Sequence, residues 1–144
     1  MQPGSNGLAS PGVHASHREA PVASGGSAPD ARRLVEIRSY RLKPGTRAGF
    51  RTALVERALP MVRAAGMDVV AHGPGADDDS YFLVRAFDDA ADLAAREDAF
   101  YGSSAWREGP REAVVSLIET YVDTLLWLAP GSIEDLRRGN GGLG

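Results

Sequence analysis

Apolar and polar positions alternate singly from Leu34 to Leu42: Val35, Ile37 and Ser39 fall on one side, Glu36, Arg38 and Tyr40 on the other. That period of two predicts a strand with one apolar and one polar-aromatic face. Lys43-Pro44-Gly45 turns the chain, and Thr46 is placed to cap a helix. From Arg47 to Ala65 the spacing lengthens: Phe50, Leu54, Met61 and Ala65 recur at helical intervals, with Arg47, Arg51 and Arg63 left for solvent. Pro60 sits inside this pattern, where its missing amide and its ring predict a kink or a break. Gly66 stops the helix. A short strand over Met67–His72 and a turn-rich Gly73–Asp79 segment lead into a second alternating run, Ser80–Phe87. Asp88 and Asp89 open a helix that ends at Gly102, a turn from Ser103 holds Trp106, and Pro110 starts another helix to Leu117. The last strand, Ile118–Leu128, puts Glu119, Tyr121, Asp123, Leu125 and Trp127 on one side, and one helical turn follows over Ile133–Arg138.

This order, β-α-β-β-α-β, predicts an α+β fold of the ferredoxin-like type, a four-stranded antiparallel sheet with helices over one face. The second face of each strand mixes aromatic and aliphatic residues with charges, too apolar for water and too polar for a plain core. A second copy of the chain covers such a face if the two sheets close into a barrel, so a homodimer is expected.

Composition restricts the folding unit to one part of the chain. Of the 144 residues, nearly all the large apolar ones lie within 34–128, whereas 20 of the first 33 are Gly, Pro, Ser or Ala. Residues 1–33 are expected to be a disordered tail and 129–144 a flexible one. His14, His17 and Glu19 lie in the first of these, too loosely spaced to hold a metal. Asp77, Asp78 and Asp79 lack the alternating ligand pattern of a calcium loop. A net charge of −3 with intermixed signs argues against nucleic acid as a partner, and the absence of cysteine removes thiolate chemistry. The longest strictly apolar run, Leu125–Pro130, is far short of a membrane span, and with no signal-like segment a cytoplasmic location is expected. No nucleotide loop, nucleophile elbow or zinc-hydrolase motif is present, and no cofactor is expected.

The segment Val35-Glu36-Ile37-Arg38-Ser39-Tyr40-Arg41-Leu42-Lys43-Pro44-Gly45 resembles the opening strand of the NIPSNAP family, which reads approximately Tyr-Glu-Xaa-Arg-Xaa-Tyr-Xaa-Leu-Xaa-Pro-Gly. Val35 departs from that pattern, standing where an aromatic residue is common. Pro60 within the first helix and the stretch Phe100…Ser104-Ala105-Trp106-Arg107 are similar to later family features, so the resemblance spans 34–128. It implies the dimeric α+β barrel superfamily. That superfamily includes cofactor-independent monooxygenases, haem-degrading enzymes, chlorite dismutases, cyclases and proteins with no known reaction, so it implies a scaffold and carries over no catalytic residue.

The residues themselves supply the candidate chemistry. Glu36, Arg38 and Tyr40 point one way along a strand, with Arg38 as a forked donor and Glu36 as a base or as arginine's partner. Arg85, Tyr81, Tyr121, Glu119 and Asp123 can reach the same side. His72, with a pKa near neutral, is a candidate general base. Glu36, Arg38 and His72 are thus the catalytic candidates, and Tyr40, Tyr81, Arg85, Trp106 and Tyr121 the ligand-binding ones. An ion-pair network that only fixes strand register is the structural alternative. Two functions fit. One is a small-molecule binder or cofactor-independent enzyme for oxygenation, cyclisation or isomerisation. The other is a non-catalytic homodimeric interaction module.

Overall fold

The computed structural model describes residues 31–140. The expected N-terminal tail, with His14, His17 and Glu19, lies outside the described residues except for its last three positions. Four strands form one antiparallel sheet in the order β2-β3-β1-β4, with β1 at Arg33–Leu42, β2 at Asp68–Pro74, β3 at Ser80–Phe87 and β4 at Ile118–Leu128. This is the predicted α+β, ferredoxin-like arrangement. Central strand β1 pairs Glu36 with Arg85 of β3 and Arg38 with Asp123 of β4, so the register itself sets opposite charges across from one another.

The first crossover is nearly continuous helix: α1 at Arg47–Ala53, a π-helical segment at Leu54–Ala58, and α2 at Leu59–Ala64. The wide π turn lies immediately before Pro60. A proline ring collides with the carbonyl four residues back, and loosening that turn lets the helix pass through where a break was expected. Thr46 does not cap as expected, since its hydroxyl donates to the Lys43 carbonyl at 2.7 Å. In the second crossover, α3 at Ala90–Tyr101 is capped by Asp89, whose carboxylate accepts from the Asp92 amide at 2.9 Å. The short helices α4, Ser104–Glu108, and α5, Arg111–Val115, then return the chain to β4.

The structure corrects the expected use of the sheet faces. The face bearing Glu36, Arg38 and Tyr40 is the one the chain's own helices cover, where Phe50, Leu54, Leu59, Leu93, Phe100 and Trp106 pack beside Tyr81, Leu83 and Phe87. Burying those charges is tolerated because they pair with one another beneath the helices. The opposite face carries Val35, Val84 and Ala86, and it is partly sheltered by α6, Pro130–Gly139. This helix falls within the span read as a flexible tail. Its Ile133 is 1% exposed against the sheet, and Arg137 grips Asp68 at 2.9 Å, contacts that offset the entropy of ordering it. Val122, 64% exposed, stands on the remainder of that face.

Candidate functional site

Three strands and one helix bring five ionisable groups together under the helical layer. Arg38 and Arg85 are fully buried, Glu36 and Glu97 are 1% exposed, and the Asp123 side chain is nearly buried. Arg38 grips Asp123 with both ends of its fork, Nε to Oδ1 at 2.7 Å and Nη2 to Oδ2 at 3.0 Å, while the same Nη2 lies 3.6 Å from Glu36 Oε2. Arg85 donates from Nη2 and Nε to Glu36 Oε1 at 2.6 and 3.1 Å, from Nη2 to Glu97 Oε2 at 3.1 Å, and from Nη1 to the Tyr101 hydroxyl at 2.9 Å. Aromatic rings close the cluster: Tyr121 lies 4.4 Å from the Arg38 guanidinium carbon, and Tyr101 is 6.0 Å from it.

Among the described residues Arg38 Nη1 is buried in this cluster without a hydrogen-bond partner, while Glu36 Oε2 and Glu97 Oε1 find no donor other than the proton the two carboxyls share. Each belongs to a residue that touches another member of the cluster. The unpartnered Arg38 Nη1 carries a desolvation cost that a purely structural network avoids by completing its bonds.

The two glutamates divide the protonation states between them. Burial pushes the Glu97 carboxyl up to about 8, and the neighbouring Glu36 charge adds to the effect despite the opposing pull of Arg85. Burial acts on Glu36 in the same direction, but Arg85 and Arg38 outweigh it and hold that carboxyl at about 2. At neutral pH the pair therefore keeps one proton, on Glu97, which hydrogen-bonds Glu36. Burial also raises the phenols, Tyr121 to about 12 and Tyr40 further, so both stay neutral.

Of the residues singled out in the sequence, Glu36, Arg38, Arg85, Tyr121 and Asp123 meet here. Tyr40 packs alongside, its ring centroid 5.0 Å from Phe50 and 6.3 Å from Tyr121. Trp106 lies in the core against Phe100 and Tyr101, at 5.3 and 5.5 Å. Glu119 is exposed. His72 and Tyr81 form a separate pair towards the β2 edge, with Nδ1 3.0 Å from the phenol oxygen. Burial, with Arg63 and Arg51 facing it, holds the His72 imidazole below its usual value and hence neutral. Glu97 and Tyr101 were not among the sequence candidates. The signal was present: Glu97 occupies the same helical stripe as Leu93, Phe100 and Tyr101, where a carboxylate in solvent has no reason to sit.

Two clefts open near the helical layer, and neither is lined by Glu36, Arg38 or His72. One, of about 660 Å³, lies between α2 and α3 and is lined by Met61, Ala64, Ala95, Ala99 and Phe100. The other, of about 680 Å³, lies between α1 and the β2–β3 hairpin. Among the described residues, no group of three or more His, Cys, Asp or Glu is placed to hold a metal, and no helix is long and apolar enough to cross a membrane.

The sequence matches no protein-family model and none of the curated proteins. Solved structures do match. A NIPSNAP family protein of unknown function from Agrobacterium tumefaciens aligns with a TM-score of 0.64 at 19% identity, over 69% of this chain and 90% of its own. An uncharacterised NIPSNAP-like domain protein from Burkholderia xenovorans gives 0.64 at 16% identity, over 70% and 89%. A candidate antibiotic biosynthesis monooxygenase from Bordetella bronchiseptica gives 0.50 at 20% identity, over 67% and 95%. At these identities the likeness is one of backbone architecture, and on that ground, together with the strand order and register described above, the chain has a NIPSNAP-like fold.

Proposed function

We propose that this protein binds a small organic ligand between its sheet and its helices, as a homodimer, and performs proton-transfer chemistry on it without a cofactor. The observation that carries the reading is the unpartnered Arg38 Nη1 in the same buried cluster as a carboxyl that keeps its proton, all of it nearly closed to solvent. A ligand oxygen next to Arg38 Nη1 would receive a hydrogen bond from a fixed cation, which stabilises negative charge developing on that oxygen. Glu97, protonated at neutral pH with a value near 8, is matched to giving and retaking a proton. Glu36, first read as the base, is too weakly basic for that task and fits better as the anchor that orients both arginines. A carbonyl compound that shifts a proton through its enol is the substrate class this arrangement suits, which favours isomerisation or cyclisation. The cleft between α2 and α3 stops at Phe100, which packs at 5.0 Å on Tyr101, whose hydroxyl is held by Arg85, so a ligand enters only if this aromatic pair parts.

Homodimerisation is supported by the uncovered part of the other sheet face, where Val122 on edge strand β4 is exposed. A specific observation favours the second reading, a non-catalytic dimeric module: the charged cluster is closed and no cleft reaches it.

The test is extraction of the natively purified full chain with organic solvent, with mass spectrometry on the extract and native mass spectrometry on the protein. A bound compound that is lost in Arg38→Met while the dimer persists is the expected result. A dimer that never carries or takes up an organic compound, and whose Arg38→Met variant changes only in stability, overturns the ligand reading in favour of the interaction module.

A further inference from the structure

The second cleft contains chemistry that the interior cluster does not use. Its wall on α1 carries Arg47 and Arg51, four residues apart and therefore on one helical face, where like charges repel. Among the described residues neither forms an ion pair. Arg47 donates to the backbone carbonyls of Asp77 at 2.6 Å and Ser80 at 3.5 Å, which ties the hairpin to the helix and leaves its charge uncompensated. Arg51 is exposed and lies close enough to the Tyr81 hydroxyl for its charge to oppose the rise that burial imposes on that phenol. Tyr81 forms the inner end of the cleft although only 1% of it is exposed, and behind it stands the neutral imidazole of His72 at 3.0 Å. The Tyr81 and His72 pair is rigid: the two rings stack with 21° between their planes, and Phe50 packs edge-on to Tyr81 at 5.4 Å.

Two guanidiniums without carboxylate partners and a locked phenol at the back of a concave surface make an oxyanion receptor. The opposite rim sets the charge of the ligand. Asp78 and Asp79 line it, and Asp79 is held in place by the Gly45 amide at 3.3 Å. A second negative charge would meet these carboxylates, so a singly charged head is favoured over a doubly charged one. We propose that this cleft is a second binding site, for the carboxylate of a small organic molecule, gripped by Arg51 and Arg47 and oriented by Tyr81 with His72 behind it. The site is independent of the interior cluster.

The experiment uses the full chain labelled with ¹⁵N-histidine, titrated at constant ionic strength with sodium benzoate, inorganic phosphate and, as control, sodium chloride. The ring nitrogens of His72 report events at Tyr81. Benzoate is expected to move the His72 signals saturably, with a dissociation constant on the order of 1 mM, while chloride leaves them unmoved. Arg51→Gln is expected to weaken benzoate about tenfold, and Arg57→Gln, at an exposed position outside the cleft, to leave it unchanged; far-ultraviolet circular dichroism checks that both variants are folded. Tyr81→Phe is expected to retain most of the affinity but to uncouple the His72 signals from binding. No saturable response to benzoate, or an Arg51→Gln variant that binds as well as the parent, overturns the site. Phosphate binding more tightly than benzoate overturns its assignment to a carboxylate.

Discussion

Glu97→Gln isolates the proton that the buried cluster is inferred to hold. Gln has the size of the protonated acid, its amide can donate to Glu36 as the acid does, and its oxygen can accept from Arg85 Nη2, now 3.1 Å from Glu97 Oε2. In the unfolded chain Glu97 ionises at its ordinary value of 4.5, whereas in the folded protein it does so at about 8. Folding therefore takes up a proton there. The stability that this contributes is complete below pH 4.5 and drains away as pH rises through 8. At roughly 1.4 kcal/mol per pH unit for one proton, the full difference is on the order of 5 kcal/mol. Glu36, held at about 2, works in the other direction: its contribution is present above pH 4.5 and is lost as pH falls towards 2. Urea unfolding of the parent and the variant at matched pH values from 5 to 9 separates these effects, because every other group cancels in the difference. The two proteins should lie close together at pH 5, and Glu97→Gln should become the more stable by about 2–4 kcal/mol at pH 9. A variant less stable than the parent by the same amount at every pH would mean that Glu97 is a charged partner of Arg85, and the inferred proton would be gone.

Arg85→Met should cost about 3–5 kcal/mol in urea unfolding at pH 7, because it leaves the Glu36 carboxylate buried without its main partner; a loss under about 1 kcal/mol would show that water reaches the cluster. Ile133→Ala should cost about 2–4 kcal/mol by the same assay, since the side chain is fully packed against the sheet, whereas a flexible tail would register no change. Val122→Asp places a charge on the uncovered sheet face and should halve the mass seen by light scattering while leaving the circular dichroism spectrum intact; a parent that is already monomeric at micromolar concentration removes the homodimer. Gly66→Ala should destabilise by about 1 kcal/mol, because this residue ends α2 with φ at +90° and its new methyl group would meet Arg96.

Local periodicity settled which stretches of this chain are strands and which are helices, because alternation at two and recurrence near 3.6 are properties of neighbouring residues. Ser80–Phe87 and Ile118–Leu128 were readable to the residue, and so was the β-α-β-β-α-β order from which the sheet topology follows. The same alternation could not say which side of β1 faces inward. Val35 and Ile37 offer an apolar side, Glu36, Arg38 and Tyr40 a mixed one, and hydrophobicity alone pointed the charges outward. That choice was made by partners 49 and 85 positions away, Arg85 for Glu36 and Asp123 for Arg38, which make the charged side compatible with a dry interior. Glu97 is legible as an anomaly on an apolar stripe, but its proton is not, since it arises from the distance to Arg85 and Glu36 and from exclusion of water. The C-terminal helix shows the same limit: Ile133 and Leu136 are the two large apolar residues in a polar segment, and Ile133 becomes an anchor only because β1, β2 and β3 assemble the surface that receives it. Side-chain chemistry and spacing are written along the chain, whereas burial and electrostatic environment exist only after distant segments have come together.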